Sequence, residues 1–303
     1  MNILIIKLGA TGDVVRTTPL LRVLGGQITW LTEEKNRLLL EGLTENLRCF
    51  SWEDRARALD LNYELAVNLE DTLEAAQFLK TVQCRRIFGA YTDSDGALSY
   101  TADAKGWFDL SIISVHGKNR ADRLKFRNRR TYQELIFEGL GLSFTGERYL
   151  LPPPVHTDLA GDVAIAPESG PVWPMKGWAY YWELKRQLES NGLTVNVLPK
   201  RRSLLEHLAD VRNHRCLVSG DSLPMHFALG CRIPCVTLFN CTSPWEIYGY
   251  EVQTKIVSPL LEEFFYKRGY DERATTAISV DELFDAVMAQ LETAAPAGSQ
   301  RTG

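Results

Sequence analysis

The chain lacks any long apolar run and any surplus of one charge. Its opening Met1-Asn2-Ile3-Leu4-Ile5-Ile6-Lys7 offers four apolar residues before a lysine, against the ~20 that a membrane span needs, and it is also short of a signal-peptide core. The expected compartment is the cytoplasm. With 34 basic and 38 acidic side chains the net charge is −4, so a polyanion is not the expected main partner and nucleic acid is disfavoured. Six cysteines, Cys49, Cys84, Cys216, Cys231, Cys235 and Cys241, are too few and too scattered for a disulfide framework in 303 residues. Three of them fall in a C-x3-C-x5-C spacing that invites a metal. Cys235, however, lies in an apolar run at 233–239 and Cys216 in Cys216-Leu217-Val218, where a free thiol behaves as a small core residue. No metal and no cofactor are expected. Internal repeats are missing. So are the G-x-G-x-x-G fingerprint of a nicotinamide dehydrogenase and the lysine–serine pair of a P-loop.

What is present is ordinary globular material: 45% apolar and 24% charged residues, enough chain for about two domains. Short apolar β-type runs alternate with amphipathic stretches, the pattern of a parallel α/β fold. The first half predicts strands at 2–7, 27–32, 65–69, 86–90 and 110–115, with helices at 14–24, 72–80 and 124–140. Pro152-Pro153-Pro154 then reads as a stiff linker. The rhythm restarts with strands at 163–166, 194–198, 216–219 and 235–239, and helices at 179–190, 204–211, 225–229 and 280–291. The expectation is an N-terminal Rossmann-like domain at 1–151, a second at 152–293 and a flexible tail at 294–303, with a ligand cleft where the carboxyl ends of the two sheets face each other.

Three stretches sit at predicted carboxyl edges. Lys7-Leu8-Gly9-Ala10-Thr11-Gly12-Asp13 joins the first strand to a helix expected near Val14; its glycines let backbone approach a ligand, and Asp13 is either a helix cap or something more. Between Ala166 and Trp178 a Gly/Pro-rich loop carries Ser169, Gly170 and Lys176. Loop amides and a compact cation together suit a phosphate, and a lysine at a helix start is unfavourable toward the dipole unless it has a task. Ser219-Gly220-Asp221-Ser222-Leu223-Pro224-Met225-His226 runs from strand to helix, and its early proline suits a first turn whose free N–H groups form an anion site. Asp221 or Ser222 as a plain cap, and His226 as first-turn filling, are equally open.

Taken together these blocks resemble a known family. The opening Ile3-Leu4-Ile5-Ile6-Lys7-Leu8-Gly9-Ala10-Thr11-Gly12-Asp13-Val14-Val15-Arg16-Thr17-Thr18-Pro19-Leu20-Leu21, then Trp173-Pro174-Met175-Lys176-Gly177-Trp178, Ser219 through Gly230, and Pro234 through Pro244 match in order and spacing the ADP-heptose:lipopolysaccharide heptosyltransferases, glycosyltransferase family 9. The resemblance implies a GT-B fold of two Rossmann-like domains, acceptor bound mainly by the first and sugar nucleotide by the second. It implies inverting, metal-independent transfer, with ADP-heptose as leading donor and an anionic glycan or glycolipid as acceptor. Asp13 matches the family's proposed base and Lys176 its phosphate-contacting lysine. Asp221, Ser222, Leu223, Met225 and His226 fall on donor positions, and Ser169 keeps one hydroxyl where relatives carry two. Gly9, Thr11 and Gly12 belong to the loop beside the base.

Departures bear on the donor. Where relatives usually place an acid for the ribose hydroxyls, this chain has Lys200-Arg201-Arg202-Ser203, with no acid until Glu206; the cations either meet phosphate or form a solvated turn. Lys118, Arg120, Arg123, Lys125, Arg127, Arg129 and Arg130 stand against a single acid, Asp122. Such a face, with Arg120 and Arg123 foremost, either holds an anionic acceptor, lies on anionic lipid at the inner face of the membrane, or is simply solvated. Asp93-Ser94-Asp95-Gly96 fits a polar turn better than a metal-holding D-x-D element. Two further readings stand beside sugar transfer: a sugar-nucleotide epimerase, and a non-catalytic sugar-nucleotide binder.

Overall fold

In the computed structural model, which describes residues 1–170 and 172–293, the chain divides into two compact units. Met1–Pro153 together with Trp245–Tyr248 form the first; residues 154–244 and 249–293 form the second. The expected tail at 294–303 lies outside the described residues.

The first unit holds β1 (Asn2–Ile6), β2 (Gln27–Thr32), β3 (Leu47–Ser51), β4 (Leu65–Asn68), β5 (Ile87–Thr92) and β6 (Leu98–Tyr100), in the order β3-β2-β1-β4-β5-β6. Neighbours are parallel except β5 and β6. Successive side chains of a strand point to opposite faces. Ile3 and Ile5 therefore enter one core with Trp30, Val67 and Phe137, while Leu4 and Ile6 enter another with Leu31, Ala66 and Leu79. Because both faces are covered, the sequence of β1 is continuously apolar instead of alternating.

The second unit holds β7 (Gly161–Ala166), β8 (Val195–Val197), β9 (His214–Gly220), β10 (Cys235–Phe239) and β11 (Gln253–Val257), ordered β11-β10-β9-β7-β8 and parallel throughout. Val163, Ile165, Val218 and Leu238 pack against Leu184 and Leu188 of the helix Tyr181–Ser190 and Leu283 and Val287 of the helix Val280–Thr293. Cys216 and Cys235 are core residues, and burial pushes their thiols up, that of Cys235 to about 12. Cys231 Sγ accepts a hydrogen bond from Arg212 Nε at 3.1 Å.

Several elements differ from the sequence reading, each for a local reason. The segment at 110–115 is a series of turns, not a strand: the Ser111 and Ser114 hydroxyls accept the N–H groups of Ile113 and His116, the side-chain-to-backbone bonding that competes with a ladder. The helix expected at 14–24 starts earlier and is broken into Thr11–Thr17 and Leu20–Val23. Pro19 has no N–H to continue the first helix, and Thr18 Oγ1 donates to the Val15 carbonyl instead. The helix expected at 124–140 is two, Lys118–Arg127 and Tyr132–Gly139, the second opened by a Thr131–Glu134 capping box.

The second unit is not contiguous in sequence as expected. Trp245–Tyr248 belongs with the first unit, where Trp245 meets Phe126 edge-on with ring centroids 5.6 Å apart and Tyr248 meets Phe144 at 5.0 Å. The Tyr132 N–H donates to the Glu246 carbonyl at 3.0 Å. Ile247 is buried there, the rings of Trp245 and Tyr248 are partly covered, and the buried Glu246 carboxylate is compensated by Arg16 and Lys125.

Candidate active site

At the carboxyl edge of β1 the chain turns through Gly9, Thr11 and Gly12 into the helix Thr11–Thr17, which places Asp13 inside its first turn. Asp13 does not serve as the cap: Ala10 holds that position without a side-chain bond, and the Asp13 carboxylate lies 3.0 Å from Arg16 and 3.8 Å from Lys7. Its side chain remains one-third exposed. The Thr11 hydroxyl donates to Asn36 Oδ1 at 2.7 Å, so this candidate is engaged in holding the turn. A Cβ on Gly9 would stand 3.1 Å from Glu33 Oε1, the end of a flexible side chain that would have to shift slightly to admit it.

The charges around Asp13 alternate. Lys7, buried, donates to Glu70 at 2.8 Å; burial opposes its charge, but Asp13 and Glu70 outweigh that and raise its pKa. Arg16, likewise buried, stacks 4.2 Å over the Tyr132 ring and lies 4.0 Å from Glu246, whose other oxygen is 3.3 Å from Lys125. A chain of charges thus runs Glu70, Lys7, Asp13, Arg16, Glu246, Lys125, and ends on the basic helix Lys118–Arg127. Burial raises the pKa of Asp71, next to Glu70, against the opposing pull of Lys7. Glu70, Asp71 and Glu246 escape sequence reading because nothing in their local spacing reports that the fold carries them to Asp13.

Arg120 and Arg123 are exposed on that basic helix and form no ion pair among the described residues. Most other cations of the stretch are matched: Lys118 with Asp122, Arg130 with Glu138, and Arg129 over the Trp245 ring. Asp93 closes the turn between β5 and β6 by accepting the N–H groups of Asp95 and Ala97.

In the second unit the register pairs Ala166 of β7 with Ser219 of β9, so the loops that follow these strands lie side by side. Lys176 donates to the Asp221 carbonyl at 2.9 Å and sits 3.2 Å from its carboxylate. Burial opposes the charge on Asp221, but Lys176 and His226 outweigh it and hold the carboxyl at about 2. Gly220 is required at this contact, because a Cβ there would lie 2.7 Å from the Lys176 carbonyl oxygen. Ser169 Oγ is 3.7 Å from where a Cβ on Gly177 would stand, which places Ser169 beside the lysine loop. Ser222 occupies the N-cap of the helix Leu223–Cys231 but makes no side-chain cap bond, so the first-turn amides of Leu223 and Met225 carry no cap from it. His226 is buried in the same turn.

The remaining cations at 200–202 are partly spoken for. Arg201 grips Asp210 with two bonds of 2.6 and 2.9 Å, and Lys200 lies 3.2 Å from Glu168. Glu206, the first acid after them, is the capping partner of Ser203, so it is committed to its helix. Sequence reading also gave no role to Asn240, Thr242 and Ser243, which follow β10. All three are buried; Thr242 helps to hold the Asp221 carboxylate, and the oxygens Asn240 Oδ1 and Ser243 Oγ have no hydrogen-bond partner among the described residues.

Lys255 of β11 is half-buried and donates to the Pro244 carbonyl at 2.7 Å. Burial lowers its pKa to about 8, against the opposing influence of Cys235 and Asp221. The unfolded chain therefore binds more protons than the native one from about pH 8 to the ordinary 10.5, and stability gains from this group as pH rises through that window. Compared with Lys255→Met, the wild type should gain relative stability in urea titrations between pH 8 and 10.5 and show a constant gap below pH 8. A gap that never changes with pH would contradict this burial.

Residues 173–269 match the family model of glycosyltransferase family 9 (heptosyltransferase). The glycosyl transferase family 9 protein from Veillonella parvula aligns over 96% of this chain and 97% of its own, with TM-score 0.66 and 16% identity. The E. coli heptosyltransferase WaaC with ADP aligns over 96% and 100%, with TM-score 0.61 and 15% identity. With ADP-2-deoxy-2-fluoro heptose it aligns over 94% and 99%, at 0.59 and 17%. No curated protein sequence matches this chain. Among the described residues no helix is long and apolar enough to cross a membrane. The match to the heptosyltransferase family model thus covers residues 173–269, within the second unit, and the likeness to these solved structures, at 15–17% identity, is one of fold: two Rossmann-like units.

Proposed function

We propose that the chain transfers a sugar, with inversion and without a metal, from ADP-heptose as leading donor to a hydroxyl of an anionic glycan or glycolipid. The observation that carries this reading is the cluster of Lys176, Asp221 and an uncapped helix N-terminus at one sheet edge. An ammonium has three donors. Two of those on Lys176 serve Asp221, which fixes the side chain, and the third is left for a phosphate oxygen. With the amides of Leu223 and Met225 and the hydroxyls of Ser169 and Ser222, it would meet the charge that develops on a departing diphosphate. Asp221 and His226 hold Lys176 and the first turn in place. That WaaC has been solved with ADP and with a fluoro analogue of ADP-heptose favours the adenine nucleotide.

In the first unit Asp13 takes the acceptor proton. The acceptor oxygen forms its bond to the anomeric carbon as the bond to the diphosphate breaks, and the nucleotide leaves with that electron pair. A base must be ionised and steady, and the paired cations Lys7 and Arg16 provide both. Gly9 and Gly12 keep the turn slim beside the base. Arg120 and Arg123 meet the anionic groups of a glycolipid acceptor where it lies among the other anionic lipids of its bilayer.

A thermal-shift panel of nucleotides and nucleotide sugars tests the donor. ADP and ADP-heptose should raise the unfolding temperature, since a ligand at about 100 times its Kd adds about 2.7 kcal/mol to the native state. A response only to uridine or guanosine nucleotides would overturn the adenine assignment.

A further inference from the structure

We propose that residues 112–127 form a docking surface for an anionic lipid bilayer, with Ile112 and Val115 entering the headgroup layer and Arg120, Arg123 and Arg127 lying against the lipid charges. Ile112 is 69% and Val115 67% exposed, although the turns that carry them are pinned. The Val115 N–H donates to Tyr100 Oη at 3.0 Å, Tyr100 donates in turn to Asp109, and the neighbouring Leu110 is buried. Single exposed aliphatic residues need no explanation. Two on one held loop, directly before a basic helix, form a combined feature.

The helix supplies the charge. Arg120, Arg123 and Arg127 recur at helical spacing and share one face, where with Leu124 they line a cavity of about 430 Å³. Arg120 and Arg123 also line a second cavity with His116 and Lys118, so loop end and helix face are continuous. None of the three arginines has a carboxylate partner among the described residues, whereas Lys118, Lys125 and Arg130 do. The chain as a whole is acidic, at −4, so this is a local concentration of cations and not a general property. Guanidinium groups at phosphate level with aliphatic side chains just below them is the arrangement by which peripheral proteins sit on anionic membranes. The proposal rests on the reading above only in taking the acceptor to be a glycolipid; it does not depend on the donor site.

Co-sedimentation of the full chain with phosphatidylcholine vesicles, with and without phosphatidylserine, tests it. The wild type should pellet only with phosphatidylserine, and less so as salt is raised. At about five-fold per arginine, an Arg120→Gln, Arg123→Gln, Arg127→Gln triple variant should partition on the order of 100-fold more weakly. Ile112→Ser with Val115→Ser should weaken binding at every salt concentration, because the apolar contribution is not screened. ADP binding, followed in every variant, reports that the protein is folded and judges the donor reading separately: pelleting without ADP binding defeats that reading and leaves the docking surface standing. Failure of the wild type to pellet with phosphatidylserine, or undiminished pelleting of the triple variant, would overturn the proposal. So would a triple variant that loses only transfer to a soluble anionic glycan while the wild type never binds vesicles.

Discussion

Asp13→Asn should lower sugar transfer by about 10²- to 10⁴-fold, the range that a positioned general base contributes, while ADP binding stays within a few-fold of wild type. The substitution keeps the shape of the side chain and replaces a carboxylate with an amide, whose oxygen still accepts hydrogen bonds but is too weak a base to take the proton. The fold should tolerate it, because each neighbouring cation keeps a second carboxylate: Lys7 retains Glu70 at 2.8 Å, and Arg16 retains Glu246. The comparison of initial rates with calorimetric affinity also separates an enzyme from a protein that only binds nucleotide sugar. A variant that still transfers sugar within a few-fold of wild type would remove Asp13 from the chemistry.

Glu246→Ala should cost about 3 kcal/mol of unfolding free energy, the lower end of what breaking a buried pair costs when the partner charge stays behind. Glu246 is 3% exposed and stands between Arg16 and Lys125. Asp13 still compensates Arg16 in the variant, which is why the upper end is not expected. Glu246→Gln, which keeps the volume, should lie in between. Because Arg16 in turn holds Asp13 at 3.0 Å, turnover should fall along with stability, and more steeply than ADP affinity. Urea denaturation and initial rates on the same preparations check both. A loss below about 1 kcal/mol would place the pair among surface ion pairs of little worth.

Much of the architecture is legible in the sequence, for reasons visible in individual strands. The uninterrupted apolar runs of β1, β7 and β10 announce strands covered on both faces, and the glycine- and proline-rich stretches after them mark the edges where ligands gather. Short or edge strands are harder. β3, β6 and β11 are missed because Leu47–Ser51, Leu98–Tyr100 and Gln253–Val257 mix polar residues into brief segments with one poorly covered side. The apolar content at 110–115 misled in the opposite direction, since Ile112 and Val115 face solvent. Among the candidate site residues, Lys176, Asp221 and Ser222 are readable because each stands in the loop that follows a strand, although the fold has to bring Lys176 and Asp221 together across 45 residues. The carboxylates that share Lys7 and Arg16 with Asp13 are not, because Glu70 and Glu246 come from distant sequence and are recruited by topology. The Thr131-x-x-Glu134 box was present to show that the basic helix ends before residue 131, and it is the signal a closer reading would use.

In the proposed reading the second unit holds a nucleoside diphosphate against Lys176 and the first turn after Ser222. Isothermal calorimetry of ADP binding to the wild type and to Lys176→Met tests it most directly. The expected result is measurable binding to the wild type and a 10- to 100-fold weaker affinity in the variant, about what one hydrogen bond to a charged group provides. Equal ADP affinity in the two proteins, or none in the wild type, would contradict it.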